Sequence, residues 1–192
     1  PDYPTLAANN GARHVMGAGL YLGATVDAEV DGQPAADADG DDIEGTDDED
    51  GVIFTSQLVA GLQASVDVTF SAAGKLDGWI DFNGDGDWAD AGEQIFAGHA
   101  LTAGLHSLNF PVPAGAVAGT TFARFRLSSV GNLSVDGRAE DGEVEDYAVA
   151  LKEPGSISGV KFEDVDADGE KDAGEPGLEG WTIYLDENEN DT

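Results

Sequence analysis

The sequence predicts an all-β protein: an antiparallel β-sandwich followed by a partial second β unit. Three observations point there. Short runs alternate apolar and polar residues with period two, Gly, Pro, Asn and Asp punctuate them at short intervals, and no amphipathic pattern of helical period exceeds two turns.

The strands follow in order. Alternation is clean over 64–70 and imperfect over 105–110. Over 121–127 it places Thr121, Ala123, Phe125 and Leu127 on one face and Phe122, Arg124 and Arg126 on the other. Further strands are expected at 51–54, 76–82, 93–96, 144–151, 156–162 and 181–185, and 111–115 reads as a loop that ends a strand. A boundary falls at Lys152-Glu153-Pro154-Gly155-Ser156, where Pro-Gly breaks one strand before another begins. The expected units are 1–153 and 154–192. Chains below about 40 residues rarely fold alone without disulfides, metal or a partner. The second unit therefore reads as unfinished: either the native chain continues or another subunit supplies strands, and an incomplete sheet invites strand addition. Beginning at Pro1 without Met or a signal-peptide pattern, the sequence is expected to be a mature or excised piece.

The 192 residues carry 39 acids against 8 Lys and Arg, a net charge of −31, with 41% hydrophobic residues and no cysteine. The apolar fraction is enough for a core. The charge excludes nucleic acid and disfavours anionic membrane surfaces. No apolar run is long enough to insert in a membrane. The missing cysteines exclude disulfides, zinc–thiolate sites and thiol catalysis.

Most of the acids fall in five windows, 37–50, 81–93, 136–146, 164–175 and 186–191, which alternate with strand sequence. Salt adaptation would scatter carboxylates over the surface, and a solvated acidic tail would not be interrupted by strands. Two such charges 4 Å apart repel by about 1 kcal/mol in water and about 4 kcal/mol at an effective dielectric of 20. A divalent cation among them resolves that cost.

One window has the spacing of a cation loop. Asp164, Asp166, Asp168, Gly169, Glu170, Asp172 and Glu175 match D-x-D-x-D-G-x₅-E in full. Short carboxylates at alternate positions curl round the ion, glycine permits the turn, and the last glutamate closes bidentately. An all-oxygen set of six to eight ligands selects Ca²⁺ over Mg²⁺. The flanks are a strand and Pro176-Gly177, so this is not a helix–loop–helix site. Asp81, Asn83, Asp85, Gly86 and Asp87 nearly repeat the pattern. Position 12 is Gly92, and Asp90 or Glu93 is expected to close it. Asp186 and Asn188 begin a third loop. The acids around Asp48 and Asp50 and those at Glu143 and Glu145 lead into strands, whose ends are expected to pool ligands; the alternative there is surplus surface charge. A weak repeat links these loops: Trp79-Ile80-Asp81-Phe82-Asn83 is echoed by the Trp-led run from Trp181 to Asn188.

Gly142-Glu143-Val144-Glu145-Asp146 resembles the namesake motif of the GEVED domain of bacterial extracellular proteins. Gly11 to Val15, Asp47 to Gly51, Trp79 to Gly86 and Ala123 to Leu127 are similar to that family too, covering about 2–151. The resemblance implies a β-sandwich module of secreted or cell-surface proteins, usually without known catalysis. Residues 156–192 are similar to the opening of a B-type repeat of serine-aspartate-repeat adhesins, through Gly159 to Asp164, the Asp164 to Glu175 loop and Gly180 to Asp186. That resemblance implies a Greek-key sandwich rigidified by Ca²⁺ in cell-wall adhesins.

Catalysis is not expected. His14, His99 and His106 form no metalloprotease or triad pattern, and carboxylates inside cation loops have their pKa depressed where a general acid needs it raised. His14 is expected to pack structurally. Arg124 and Arg126 are expected to pair with the acids of 141–146. Trp79 and Trp181 are expected in cores, and Trp88 is the best exposed candidate for stacking a sugar, its alternative being to cover the metal site. The expected function is a calcium-stabilised extracellular structural or adhesion module, a subunit of a surface adhesin or filament. Its expected partners are other copies of itself, neighbouring domains of a longer surface protein, or a glycan or host ligand. The alternative is a carbohydrate- or ligand-binding appendage of a secreted enzyme.

Overall fold

A computed structural model describes residues 5–17, 19–26, 35, 36, 38 and 49–182. The chain divides into two compact units, Pro1–Pro154 and Gly155–Thr192.

Among the described residues of the first unit ten strands follow a 3₁₀ turn at Ala7–Asn9: β1 Arg13–His14, β2 Val52–Phe54, β3 Leu58–Val59, β4 Gln63–Phe70, β5 Gly74–Ile80, β6 Gln94–Leu101, β7 Gly104–Pro111, β8 Gly119–Ser128, β9 Arg138–Ala139 and β10 Glu143–Lys152. They form a five-stranded sheet in the order β3-β10-β8-β5-β6, a three-stranded sheet β2-β4-β7, and a short parallel pair β1-β9. The two larger sheets are the layers of an all-β sandwich. Six of the strands cover the expected runs between 51 and 127, and β10 covers the run at 144–151.

Period-two alternation does its work in β4, where Ala64, Val66, Val68 and Phe70 are buried between half-exposed neighbours. They meet Leu76, Ile80, Ala123, Phe125, Leu127, Val149 and Leu151 from the opposite sheet. Aromatic edges interlock across the interior: Phe54 lies 6.1 Å from Phe125, and Phe96 lies 6.0 Å from Phe110. Such pairs add about 0.5–1.5 kcal/mol each beyond the area they bury.

β8 departs from simple alternation, for it is buried on both faces from Thr121 to Ser128. It lies centrally, between β10 and β5. Its second face, with Phe122, Arg124 and Arg126, is roofed by Trp79, Trp88 and the segment running into β9. β5 carries a register shift around Gly78 against β6. The buried Asp77 staples that bulge, accepting from Gly98 N at 2.6 Å and from Leu133 N at 3.1 Å. Gly78 itself has no room for a side chain, since a Cβ there would press on Phe96 and Phe125.

In the second unit, the strand expected at 156–162 does not form. Its one ladder contact among the described residues is an isolated bridge from Phe162 to Gly177. Ile157 and Val160 stand 82% and 65% exposed. Alternation alone cannot make a strand, because a strand needs a neighbour for its N–H and C=O groups. Trp181, expected in a core, is 62% exposed with the Lys161 ammonium 3.4 Å from its ring centroid. Of the strand expected at 181–185, residues beyond 182 lie outside the described residues.

Gly142 turns the chain between β9 and β10 at φ 88°, and a Cβ there would sit 1.8 Å from the Leu127 carbonyl oxygen. Gly142→Ala therefore combines left-handed strain with a backbone clash that no rotamer relieves. We expect it to destabilise the first unit by about 3 kcal/mol, the upper range for a strained backbone site. The urea midpoint should fall at constant slope, and a midpoint unchanged from wild type would show that this turn does not hold β10 in place.

Candidate metal centre

The two acid loops are built alike, although their spacings differ by one residue. Asp81 heads the first: its Oδ1 accepts from Gly84 N at 2.6 Å and its Oδ2 from Gly86 N at 3.0 Å. Asp164 heads the second, accepting from Asp168 N at 3.2 Å and Gly169 N at 3.0 Å. In each loop the leading aspartate ties down the glycine five residues on. Gly86 and Gly169 take positive φ of 93° and 83°, which lets the chain double back.

Glutamate closes both loops. Glu93 accepts from Phe82 N through Oε1 and Asp90 N through Oε2, both at 3.1 Å. Glu175 accepts from Val165 N at 2.8 Å and Asp172 N at 3.0 Å. Each spans from the residue after the leading aspartate to the residue three before itself. Both glutamates are buried, as is Asp81. Glu93 makes the backbone bonds that Glu175 makes in the second loop, while Asp90, exposed, lies with Asp85 and Asp87. Desolvation pushes the Glu93 carboxyl above the ordinary range, with Asp81 and Asp90 adding to the rise, while the amides of Asp90 and Phe82 oppose it.

Three carboxylates converge in each loop, and in the second loop Asp164 is both a backbone tie and one of the three. Oxygens of Asp85, Asp87 and Asp90 lie within 4.8 Å of one another, as do those of Asp164, Asp166 and Asp168, and all six residues are exposed. Asn83 donates Nδ2 to Asp85 at 3.1 Å and to Asp90 at 2.6 Å, drawing them together. Glu170 and Asp172 stand exposed outside their trio. The donor set of each cluster is oxygen only and carries three negative charges. Each pair at that spacing repels by about 1 kcal/mol in water. A hard divalent cation fits this chemistry. Asp85, Asp87 and Asp90, with Asn83 beside them, would hold it in one loop, and Asp164, Asp166 and Asp168 in the other.

The other expected ligands are employed differently. Glu143 Oε2 accepts from Leu22 N. Glu145 Oε1 accepts from Gly51 N at 3.0 Å, and its Oε2 accepts from the Tyr147 hydroxyl at 2.8 Å. Val52 N donates back to the Tyr147 oxygen at 3.1 Å, and burial beside Glu145 pushes that phenol's pKa upward. Asp50 accepts from Ala24 N at 2.9 Å and from Thr25 Oγ1 at 3.3 Å. Glu143 and Glu145 fasten the segments around Leu22 and Gly51 to β10, and among the described residues neither joins a three-carboxylate cluster with Asp50. Asp48, Asp186 and Asn188 lie outside the described residues.

Residues 75–150 match the GEVED domain family. The match runs from β5 to β10 and contains the first acid loop, both buried arginines and the Gly142–Asp146 motif. It does not extend to 156–192, and the adhesin-repeat resemblance expected there finds no support in it. A search of curated proteins found no match to the chain. The GEVED domain belongs to bacterial extracellular proteins, and among the described residues no helix is long and apolar enough to cross a membrane.

Within the matched segment the arginines serve structure, in a way spacing only half discloses. Arg124 clamps Asp146 bidentately, at 2.7 and 2.6 Å, directly across the β8–β10 ladder. Its guanidinium lies 4.6 Å from the centroid of the Trp88 ring, and Trp88 donates Nε1 to the Phe122 carbonyl at 3.2 Å. Trp88 is 4% exposed, so it cannot stack a sugar; it seals the sheet beneath the first loop. Arg126, expected to pair with a carboxylate, instead donates to the carbonyls of Arg13, Ser134, Asp136 and Gly137 and to His14 Nε2 at 3.0 Å. Burial and Arg124 lower its pKa to about 10, which still leaves it charged at neutral pH. Accepting that bond fixes the His14 tautomer: Nδ1 carries the proton and donates to the Asp141 carbonyl at 2.6 Å.

His14 is therefore held neutral, its pKa lowered from 6.5 to about 4 by burial and then by Arg126. An unfolded histidine takes a proton more readily than the folded one. Its stabilising contribution is fully present above pH 6.5 and is lost as pH falls toward 4, by up to about 3 kcal/mol at 1.4 kcal/mol per pKa unit. Denaturation measured between pH 7 and 4.5 should show wild-type stability declining faster than that of His14→Gln. Parallel curves would refute the neutral latch.

Proposed function

We propose that the protein is a calcium-stabilised structural or adhesion module on the outside of a bacterial cell, a non-catalytic subunit of a surface adhesin or filament. The observation that carries this reading is a pair of loops whose backbones are tied by their own acids and in each of which three exposed carboxylates converge. The GEVED match over 75–150 supports the extracellular setting. Outside the cell, millimolar Ca²⁺ suits sites of weak to moderate affinity.

The mechanism is linkage. The ion binds folded loops and barely the unfolded chain, so saturation at 100 to 1,000 times the dissociation constant adds about 3–4 kcal/mol per site. That is a sizeable share of an ordinary domain's stability of about 5–15 kcal/mol. Chelation would soften the loops, and with them any assembly built on their rigidity. The glycan-binding alternative loses its best residue with Trp88 buried, and the exposed Trp181 has its ring met by the Lys161 ammonium.

Isothermal calorimetry and thermal melts of the full chain test the reading. Ca²⁺ should bind with measurable heat and raise the melting temperature, and Mg²⁺ should do so weakly. Asp85→Asn with Asp90→Asn should remove one site, and Asp164→Asn with Asp168→Asn the other. Absence of both heat and stabilisation at millimolar Ca²⁺ would overturn it.

A further inference from the structure

Charge is absent from one long stretch of this acidic chain: residues 94–123 contain no Asp, Glu, Lys or Arg. That stretch forms β6 and β7 and begins β8. The three-stranded sheet as a whole holds one charged residue, Asp67, whose carboxylate accepts the Ser107 hydroxyl. In a chain of net charge −31, this is the sheet that another acidic molecule can approach.

The edges of the two large sheets differ in how they are guarded. Sheet edges present unpaired N–H and C=O groups, and proteins protect them with short strands, lysines, prolines, bulges or covering loops. β2 and β3 are three and two residues long. β6 is interrupted at Gly98, which takes φ 57°, lies against Asn132 and donates to Asp77 rather than along the ladder. β7 has eight residues, and among the described residues it pairs only with β4. No charge or bulge interrupts it before Pro111 at its end. Leu105 on it is 63% exposed, and Ser107 and Asn109 are exposed.

We propose that β7 is a self-association edge, pairing antiparallel with β7 of a second copy to join two three-stranded sheets into one of six. A strand meeting its own two-fold mate is matched in length and polarity, as an isologous contact requires. The backbone supplies the bonds, and the uncharged side chains spare two chains of −31 a repulsive contact. This inference rests on the reading of the protein as a structural subunit, and it names the surface by which subunits meet.

Sedimentation of the full chain in calcium-containing buffer across the micromolar range tests it. Wild type should form a dimer. Leu105→Lys with Asn109→Lys, and separately Leu105→Asp with Asn109→Asp, should weaken self-affinity at least about tenfold. Both changes are on exposed side chains, so melting temperatures should hold, and Ala97→Lys on β6 should leave the dimer intact. A wild-type monomer throughout the range, or a dimer indifferent to both β7 variants, overturns the proposal. So does a dimer lost only with Ile157→Lys and Val160→Lys, which would place the contact in the second unit. Calcium calorimetry on the same samples separates the two readings. A β7-dependent dimer that binds no calcium would sink the calcium function and keep this edge, whereas calcium binding by a monomer would do the reverse.

Discussion

A carboxylate accepting a backbone amide is the interaction on which this structure depends. Eight basic side chains cannot neutralise 39 acids. The buried acids instead turn their oxygens onto N–H groups that the sheets leave without partners. Asp77 does so at the β5 bulge, Asp81 and Glu93 in the first loop, Glu175 in the second, and Glu143 and Glu145 along β10. A hydrogen bond to a charged group contributes about 1.5–3 kcal/mol, roughly twice a neutral one. Each such acid also supplies the irregular backbone around it with an acceptor that regular pairing cannot give.

The same exchange operates in reverse at the arginines. Arg126 is buried without a carboxylate in contact, its donors directed to carbonyls of the 134–137 segment, to Arg13 and to His14. A guanidinium offers five donors in a fixed fork, so a single residue gathers several orphaned carbonyls at once. β1 and β9 are only two residues each and would not persist as an isolated pair. Arg126 and His14 hold them over the second face of β8. The charges in this fold thus act chiefly on the backbone, and the Arg124–Asp146 clamp is its one buried ion pair among the described residues.

This division explains what could be read from the residues and what could not. Strands of the sandwich were legible because alternation and turn residues are local signals, and the two acid loops because ligand spacing is local too. The separate parts of Glu93 and Asp90 were not legible, since spacing counts residues and does not tell the buried acid from the exposed one. The two readings of Trp88, exposed platform or cover beneath the acid loop, could not be told apart because its partner, Arg124, is 36 positions away in sequence and a loop position says nothing about which way a side chain turns. Arg126 and His14 had no signal at all: their bond joins β8 to a two-residue strand far upstream. The run at 156–162 failed for the opposite reason. Its pattern was present, but among the described residues it has one isolated bridge and no neighbouring strand.

The two roles of acid in the loops follow from burial. Asp81, Glu93 and Glu175 are shielded, so their charge must be matched by fixed amides, and it is. Asp85, Asp87 and Asp90 in one loop and Asp164, Asp166 and Asp168 in the other are exposed, and water can solvate them individually. What water cannot do is remove the cost of holding three of them within 4.8 Å of one another. The shielded acids, joined in the second loop by the exposed Asp164, hold the backbone in the conformation that brings the exposed ones together. Fixing the geometry in advance lowers the ordering cost that a bound ion must overcome. A loop built this way is suited to bind at modest intrinsic strength and to return the binding energy as stability of the sheet that carries it.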